Sequence, residues 1–166
     1  VRAPVSEGGC HPETWRLRYV DGQGQVRCRF LCLSRNLTFD RSWDLVFAVE
    51  GSVAEGPTTV DAGPIGDFLA ALPGLAVGSG VPARVAADVE LMQTEIRRVD
   101  LRAPADAGFD PRSLRFVPLG IEGYSEWPFG SSADRALVVS PFLSLGPLRL
   151  LTATGSRHVL VSRASN

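Results

Sequence analysis

The sequence predicts an α/β fold in which a mixed β-sheet is flanked by helices. In the first third of the chain, apolar and polar residues alternate, which is typical of half-buried strands. Near the C-terminus, the apolar runs 136–139 and 158–161 enclose a short helical segment at 146–152, and this order predicts a βαβ unit with two buried parallel strands. Between these regions, residues 82–99 carry apolar side chains at intervals of three and four, which indicates a helix.

The first strand is predicted from the alternation of three apolar residues with two arginines. Trp15, Leu17 and Tyr19 alternate with Arg16 and Arg18. Successive side chains of a strand point to opposite faces of the sheet. We therefore expect an apolar face toward the core and the arginines on the solvent face.

A hairpin turn and a returning strand are expected next. The turn is placed at residues 21–24, where an Asp-Gly pair favours the positive φ angles of tight hairpins. In the returning strand, Cys28 and Cys32 share one face, and we expect both to be small buried apolar residues. The apolar character of this strand rises toward Leu33, as in a strand that enters a core.

The middle of the chain is expected to combine one more strand with helices and loops. A third strand is predicted at 45–49, a loop at 50–62 and a helix at 65–72 that Pro-Gly ends. Residues 103–129 read as irregular, with one short strand near 115–117. Five aromatic residues are expected to attach this segment to the core: Phe109, Phe116, Tyr124, Trp127 and Phe129.

Composition limits the classes of function. The net charge is −1, so binding of a polyanion requires a local basic patch. All 17 basic residues are arginine, which excludes lysine-based chemistry within these 166 residues. No apolar segment approaches the roughly 20 residues of a membrane span. Three cysteines and two histidines favour neither a disulfide framework nor a metal site, so no metal and no cofactor are expected, and free thiols indicate a cytoplasmic protein.

The segment 11–44 holds the candidate chemistry. It reads as His11, a strand, the hairpin turn, a second strand and then Ser34, Arg35 and Asn36. Pairing of the two strands brings the imidazole, the hydroxyl and the side-chain amide to one end of the hairpin. An imidazole can attack phosphorus while a hydroxyl and an amide bind the non-bridging oxygens.

This pattern resembles the phospholipase D-like superfamily, whose signature is H-x-K, a strand, an Asp near a turn, a second strand and G-S-x-N. Here it reads HPE at 11–13, DG at 21–22 and LSRN at 33–36. The segment Trp-Asp-Leu at 43–45 is similar to the place where the family carries an acidic residue on the next strand. The run VVSPFLS at 138–144 is similar to the opening of the second half of bacterial members, so the resemblance covers most of the chain.

The resemblance implies a metal-independent phosphodiesterase. His11 would form the phosphohistidine, Ser34, Asn36 and Arg35 would bind the phosphate, and Asp44 would orient the imidazole. The family needs a second motif whose histidine acts as general acid. That motif would come from the remainder of the same protein or from a second subunit, so the present piece alone is expected to be inactive. Nucleic acid is preferred over other phosphodiester substrates because no membrane-binding segment is evident.

The resemblance also divides the chain. Residues 1–52 would form the first phospholipase D-like motif region, 53–132 a helical insertion and irregular linker, and 133–166 the truncated start of a second half. The chain begins with Val and stops after an apolar run, so we expect a piece of a longer protein. No second motif surrounds His158, which is expected to be structural.

Glu13 departs from the family pattern, since it stands where the motif has lysine, and Leu33 replaces a glycine. Three explanations remain open. The half-site is degenerate, an arginine (Arg35, Arg16 or Arg18) supplies the missing charge, or the codon carries a one-base change.

Two alternative functions accompany these explanations. One is a catalytically degenerate module that grips phosphate or nucleic acid with arginines expected on the solvent face of the hairpin: Arg16, Arg18, Arg27 and Arg29. The other is a scaffold that only completes a partner's site.

Overall fold

The computed structural model describes most of the chain, and all structural statements below concern these residues: 13–34, 45–76, 78, 80–124, 128–129, 134–140, 145–153 and 155–162. The chain divides into two compact units, Val1–Ser125 and Glu126–Asn166. The predicted α/β class is confirmed in that the described residues contain both strands and helices. The strands form one antiparallel sheet and one parallel pair. In the described part, no helix is long and apolar enough to cross a membrane.

Unit 1 is built on a three-stranded antiparallel sheet in the order β1-β2-β3. The strands are β1 (Thr14–Val20), β2 (Val26–Leu33) and β3 (Val46–Ser52), close to the predicted positions. The third strand runs three residues beyond its predicted end, since Glu50 to Ser52 continue to pair with β2.

The hairpin turn forms where it was predicted, but a different glycine takes the positive φ. The carboxylate of Asp21 accepts hydrogen bonds from the backbone N–H groups of Gln23 and Gln25, both at 2.9 Å. The N–H of Gly24 donates to the Asp21 carbonyl at 3.0 Å. The positive φ, 81°, belongs to Gly24 and not to Gly22, because the connection is longer than a two-residue hairpin.

The register of the hairpin reverses the predicted faces of β1. Arg16 lies opposite Phe30, and Arg18 lies opposite Cys28. Directly opposed residues share a face of the sheet. Because Phe30 and Cys28 are buried in the core, the arginines of β1 lie on the core face, and the expectation that they face solvent is wrong. The physical reason is parity, since a shift of one residue moves every side chain of a strand to the other face.

The other face of the sheet, called the outer face below, carries the apolar residues of β1. It is formed by Trp15, Leu17 and Tyr19 of β1 with Arg27, Arg29 and Leu31 of β2.

Two helices of unit 1 contact each other on the core side. They are α1 (Gly63–Ala71), which is followed by a 3₁₀ turn at Leu72–Leu75, and α2 (Ala83–Ile96). Both were predicted. The core cluster combines buried residues from the sheet, both helices and the segment after α2: Cys28, Phe30, Val49, Ala62, Ile65, Leu69, Ile96, Val99 and Leu101.

The segment after α2 returns to the edge of β3. Isolated bridges join Val99 to Val53 and Arg102 to Glu50. Gly51 lies between them, and a Cβ there would collide with the backbone carbonyl of Asp100. Glycine at this position therefore allows the two backbones to approach.

Three expectations about unit 1 are wrong. Burial does not rise along β2 toward Leu33 but decreases. As a result Cys32 is exposed, although Cys28 is buried as expected. Residues 115–117 form no strand, and the regular structure nearby is the 3₁₀ turn Pro111–Ser113.

The aromatic residues of 103–129 attach to the fold in part. Phe116 packs edge-on against Phe30, with ring centroids 5.7 Å apart. Phe109 stacks on Phe47 at 6.4 Å. Phe129 is 61% exposed, and Trp127 lies outside the described residues.

Unit 2 confirms the predicted strand–helix–strand order. Strands β4 (Arg135–Val139) and β5 (Arg157–Val161) are parallel, and α3 (Leu145–Thr152) lies between them in sequence. The expected burial is wrong, since Leu137 and Val139 are 68% and 69% exposed. Parallel strands are normally covered on both faces, and two strands alone leave one face open.

Candidate functional site

The sequence singled out five residues for the phosphate site and a sixth, Glu13, that departs from the family motif. Of these six, the structure describes Ser34 and Glu13. The other four lie outside the described residues: His11, Arg35, Asn36 and Asp44.

Three strand ends meet where the site was predicted. The N–H of Leu33 donates to the carbonyl of Glu13 at 2.8 Å, which joins the end of β2 to the start of β1. The N–H of Ser34 donates to the carbonyl of Leu45 at 3.0 Å, and the Leu45 N–H donates to the Ser34 hydroxyl oxygen at 3.0 Å. These bonds hold the start of β3 beside the end of β2. We call this place the sheet end, and it contains Glu13, Leu33, Ser34 and Leu45.

The described part of the sheet end carries negative charge. The Oε2 atom of Glu13 is buried and has no hydrogen-bond partner among the residues that the structure describes. Cys32 is exposed as a residue, but partial desolvation of its sulfur raises the pKa of the thiol, and the charge of Glu13 raises it further. A glutamate here brings a formal charge opposite in sign to that of the lysine in the family motif.

Arg16 does not offset this charge, because its side chain is directed to α2. Its side chain is 3% exposed, and Nη2 donates to Oε2 of Glu95 at 3.1 Å and to Sγ of Cys28 at 3.0 Å. Its Nε and Nη1 atoms are buried without a hydrogen-bond partner. The guanidinium thus belongs to a buried contact between the sheet and the helix.

Arg18 is held by the same carboxylate. Its Nε and Nη2 atoms each donate to Glu95 at 2.8 Å. The hydrogen bond from Arg18 is the largest influence that lowers the pKa of Glu95, and the bond from Arg16 lowers it further. Of the arginines proposed to replace the missing lysine, Arg16 and Arg18 are therefore engaged elsewhere, and Arg35 lies outside the described residues.

The outer face was predicted from sequence only in part, since Arg27 and Arg29 were expected on the solvent face but Trp15 and Tyr19 were not. A groove of about 750 Å³ runs over it. The groove is lined by charged and apolar residues, among them Arg27, Arg29, Leu31, Ala48, Glu50 and Arg102. Pairing of the strands was needed to find it, because its residues come from three separated segments.

One further candidate residue, His158, belongs to unit 2. His158 lies on β5 opposite Ala136, half-buried, with both ring nitrogens buried and lacking hydrogen-bond partners. Across the residues that the structure describes, no cluster of three or more His, Cys, Asp or Glu side chains could hold a metal ion.

The chain was compared with known proteins by sequence and by structure. No family model, no curated protein and no solved structure matches it.

Proposed function

We propose that this chain carries one half-site of a phosphodiesterase of the phospholipase D-like type that acts on nucleic acid. The complete site would form when the remainder of the protein or a second subunit supplies the second motif. The single observation that supports the proposal is the sheet end, where hydrogen bonds join Glu13 to Leu33 and Ser34 to Leu45.

The sheet end brings the candidate residues close along the chain. His11 precedes Glu13 by two residues, Asn36 follows Ser34 by two, and Asp44 immediately precedes Leu45. Two residues of extended chain span at most about 7 Å. The three stretches of sequence that contain the candidate residues therefore all adjoin the sheet end, and this supports the proposal of a common anion site.

The proposed reaction has two displacements at phosphorus. The His11 imidazole attacks the phosphodiester, a phosphorus–nitrogen bond forms, and the bond to the leaving oxygen breaks as the second histidine gives that oxygen a proton. Water then attacks the phosphohistidine, the phosphorus–nitrogen bond breaks to release the His11 imidazole, and the proton of the water passes to the second histidine. Asp44 would orient the imidazole, while Ser34, Arg35 and Asn36 would bind the non-bridging oxygens.

The second candidate function is a degenerate module that binds phosphate or nucleic acid, or a scaffold. The unpaired carboxylate oxygen of Glu13 favours it. Two unit charges about 4 Å apart interact by about 4 kcal/mol at an effective dielectric of 20. A repulsion of that size in place of an attraction would lower the rate by several powers of ten.

The deciding experiment restores the lysine in the natural full-length protein. Wild type and Glu13→Lys are assayed on bis(p-nitrophenyl) phosphate and on an oligonucleotide, each with and without His11→Ala. Glu55→Lys, the same charge change on an exposed loop, is the matched control. An acid-labile phosphohistidine on His11 is the second readout.

Each outcome assigns a function. Cleavage that requires His11 in the wild type supports an active site, and cleavage only after Glu13→Lys supports a degenerate site of phosphodiesterase ancestry. Binding of an oligonucleotide without cleavage in either protein would support the binding module. If the protein neither cleaves nor binds the substrates, the scaffold is supported and the phosphodiesterase proposal is overturned.

A further inference from the structure

We infer that the outer face of the unit 1 sheet binds single-stranded nucleic acid. The inference deepens the proposed function, on which its substrate assignment rests, because it names the form of nucleic acid and the surface that holds it. The surface is separate from the sheet end and consists of residues that take no part in the proposed chemistry.

Two aromatic side chains on this face are placed for stacking. Trp15 and Tyr19 lie on the same side of β1, four residues apart, which corresponds to about 13 Å along the strand. Trp15 is 45% exposed and Tyr19 is 46% exposed. Half-exposed aromatic rings on a sheet are the platforms on which unpaired bases stack.

The cations lie on the neighbouring strand. Arg27 is directly opposite Tyr19, and Arg29 is opposite Leu17. Arg29 pairs with Glu50 at 2.7 Å. Arg27 is exposed and forms no ion pair with any residue inside the described ranges. The guanidinium of Arg27 can therefore bind a phosphate while the neighbouring ring of Tyr19 stacks on a base.

The formal charges around this surface balance. At the groove, the carboxylates of Glu50 and Asp100 are each bound to an arginine, Arg29 and Arg102. Arg27 remains, and Asp21 lines the adjoining hollow beside Arg27 and Tyr19. The attraction for a phosphate is therefore confined to Arg27, so stacking must supply most of the affinity.

Single strands fit this face better than duplexes do. A duplex hides the flat sides of its bases, so it would use Arg27 and leave the rings of Trp15 and Tyr19 unused.

The test measures binding without cleavage. The full chain with His11→Ala is titrated into fluorescein-labelled oligo-dT at 50 mM and 200 mM salt, and anisotropy is recorded. Trp15→Ala should weaken binding about tenfold, and Trp15→Phe should restore most of the loss because it keeps a ring. Arg27→Ala should lower the slope of log affinity against log salt by about 0.7. Arg115→Ala, an exposed arginine elsewhere in unit 1, should leave binding unchanged.

The inference is overturned by absence of binding at 50 mM salt, by equal binding of duplex and single strand, or by equal effects of Arg27→Ala and Arg115→Ala. It is also overturned if Trp15→Ala changes the oligomeric state, since the face would then be a protein contact. Circular dichroism checks that each variant is folded, and Arg27→Ala decides the matter should Trp15→Ala unfold. Because binding is measured here without cleavage, failure of this inference is distinguishable from failure of the proposed phosphodiesterase.

Discussion

Replacing Glu95 by glutamine should destabilise unit 1 by about 3 kcal/mol. The carboxylate is the shared counter-ion of Arg16, whose side chain is 3% exposed, and of Arg18, whose side chain is 31% exposed and better screened by solvent; Glu95 itself is 15% exposed. Glutamine has nearly the same size, so packing changes little and the charge alone is lost. Arg16 cannot compensate, because its Nε and Nη1 atoms already lack partners.

The magnitude follows from the distance between the charged groups. The nearest nitrogen and oxygen of Arg16 and Glu95 are 3.1 Å apart. With charge centres about 4 Å apart, the attraction is about 4 kcal/mol at an effective dielectric of 20. The amide of glutamine keeps a hydrogen bond worth about 1 kcal/mol. The difference, about 3 kcal/mol, is at the lower end of the cost of breaking a buried pair.

Urea unfolding followed by circular dichroism would measure this loss. Asp110→Asn removes the acid from an exposed pair with Arg112 and should change nothing measurable. Arg16→Met in the Glu95→Gln background should recover much of the stability, because it removes the buried charge. If Glu95→Gln stays within about 0.5 kcal/mol of wild type, as for an ordinary surface substitution, the buried pair does not hold α2 to the sheet.

Three further predictions concern single groups in unit 1. Folding lowers the pKa of Glu95 from 4.5, so its carboxylate stabilises the folded state above pH 4.5. This stabilisation is lost as the pH falls through the folded-state pKa. Below pH 4.5, the melting temperature should therefore fall more steeply for wild type than for Glu95→Gln. Gly51→Ala should cost about 2 kcal/mol in urea unfolding because its Cβ meets the paired backbone, whereas Gly22→Ala meets nothing within 4 Å and should be neutral; similar losses for both would contradict the close approach. The hydrogen bond to Asp67 raises the pKa of Tyr124 to about 12, so Tyr124→Phe should remove the phenolate absorbance that develops near pH 12, and an unchanged titration would disprove that bond.

Strand positions could be predicted from sequence because their signals are local. Alternation placed β1 and β2, the Asp-Gly pair placed the turn, and apolar runs placed β4 and β5. The faces of β1 could not be predicted in the same way. The length of the connection sets the pairing, and Arg16 opposite Phe30 gives the core face to the arginines.

From the sequence, only the part of the candidate site that the pairing of β1 with β2 brings together could be predicted. The hairpin implied that Glu13 and Ser34 lie at one end of the sheet, and the hydrogen bonds there agree with it. The role of Glu95 was not predictable, because its bond with Arg16 spans 79 residues. Helix spacing also overstated burial along α2, since Val85 is 45% exposed while Ile96 is fully buried.

The long reach of Glu95 has a consequence for the order in which unit 1 assembles. The hairpin closes a short loop, whereas the contact of Arg16 with Glu95 closes a loop of 79 residues. The entropic difference between these closures is about 2 kcal/mol. Pairing of β1 with β2 should therefore precede docking of α2. The ion pair would form after the folding transition state, so it would slow unfolding without speeding refolding.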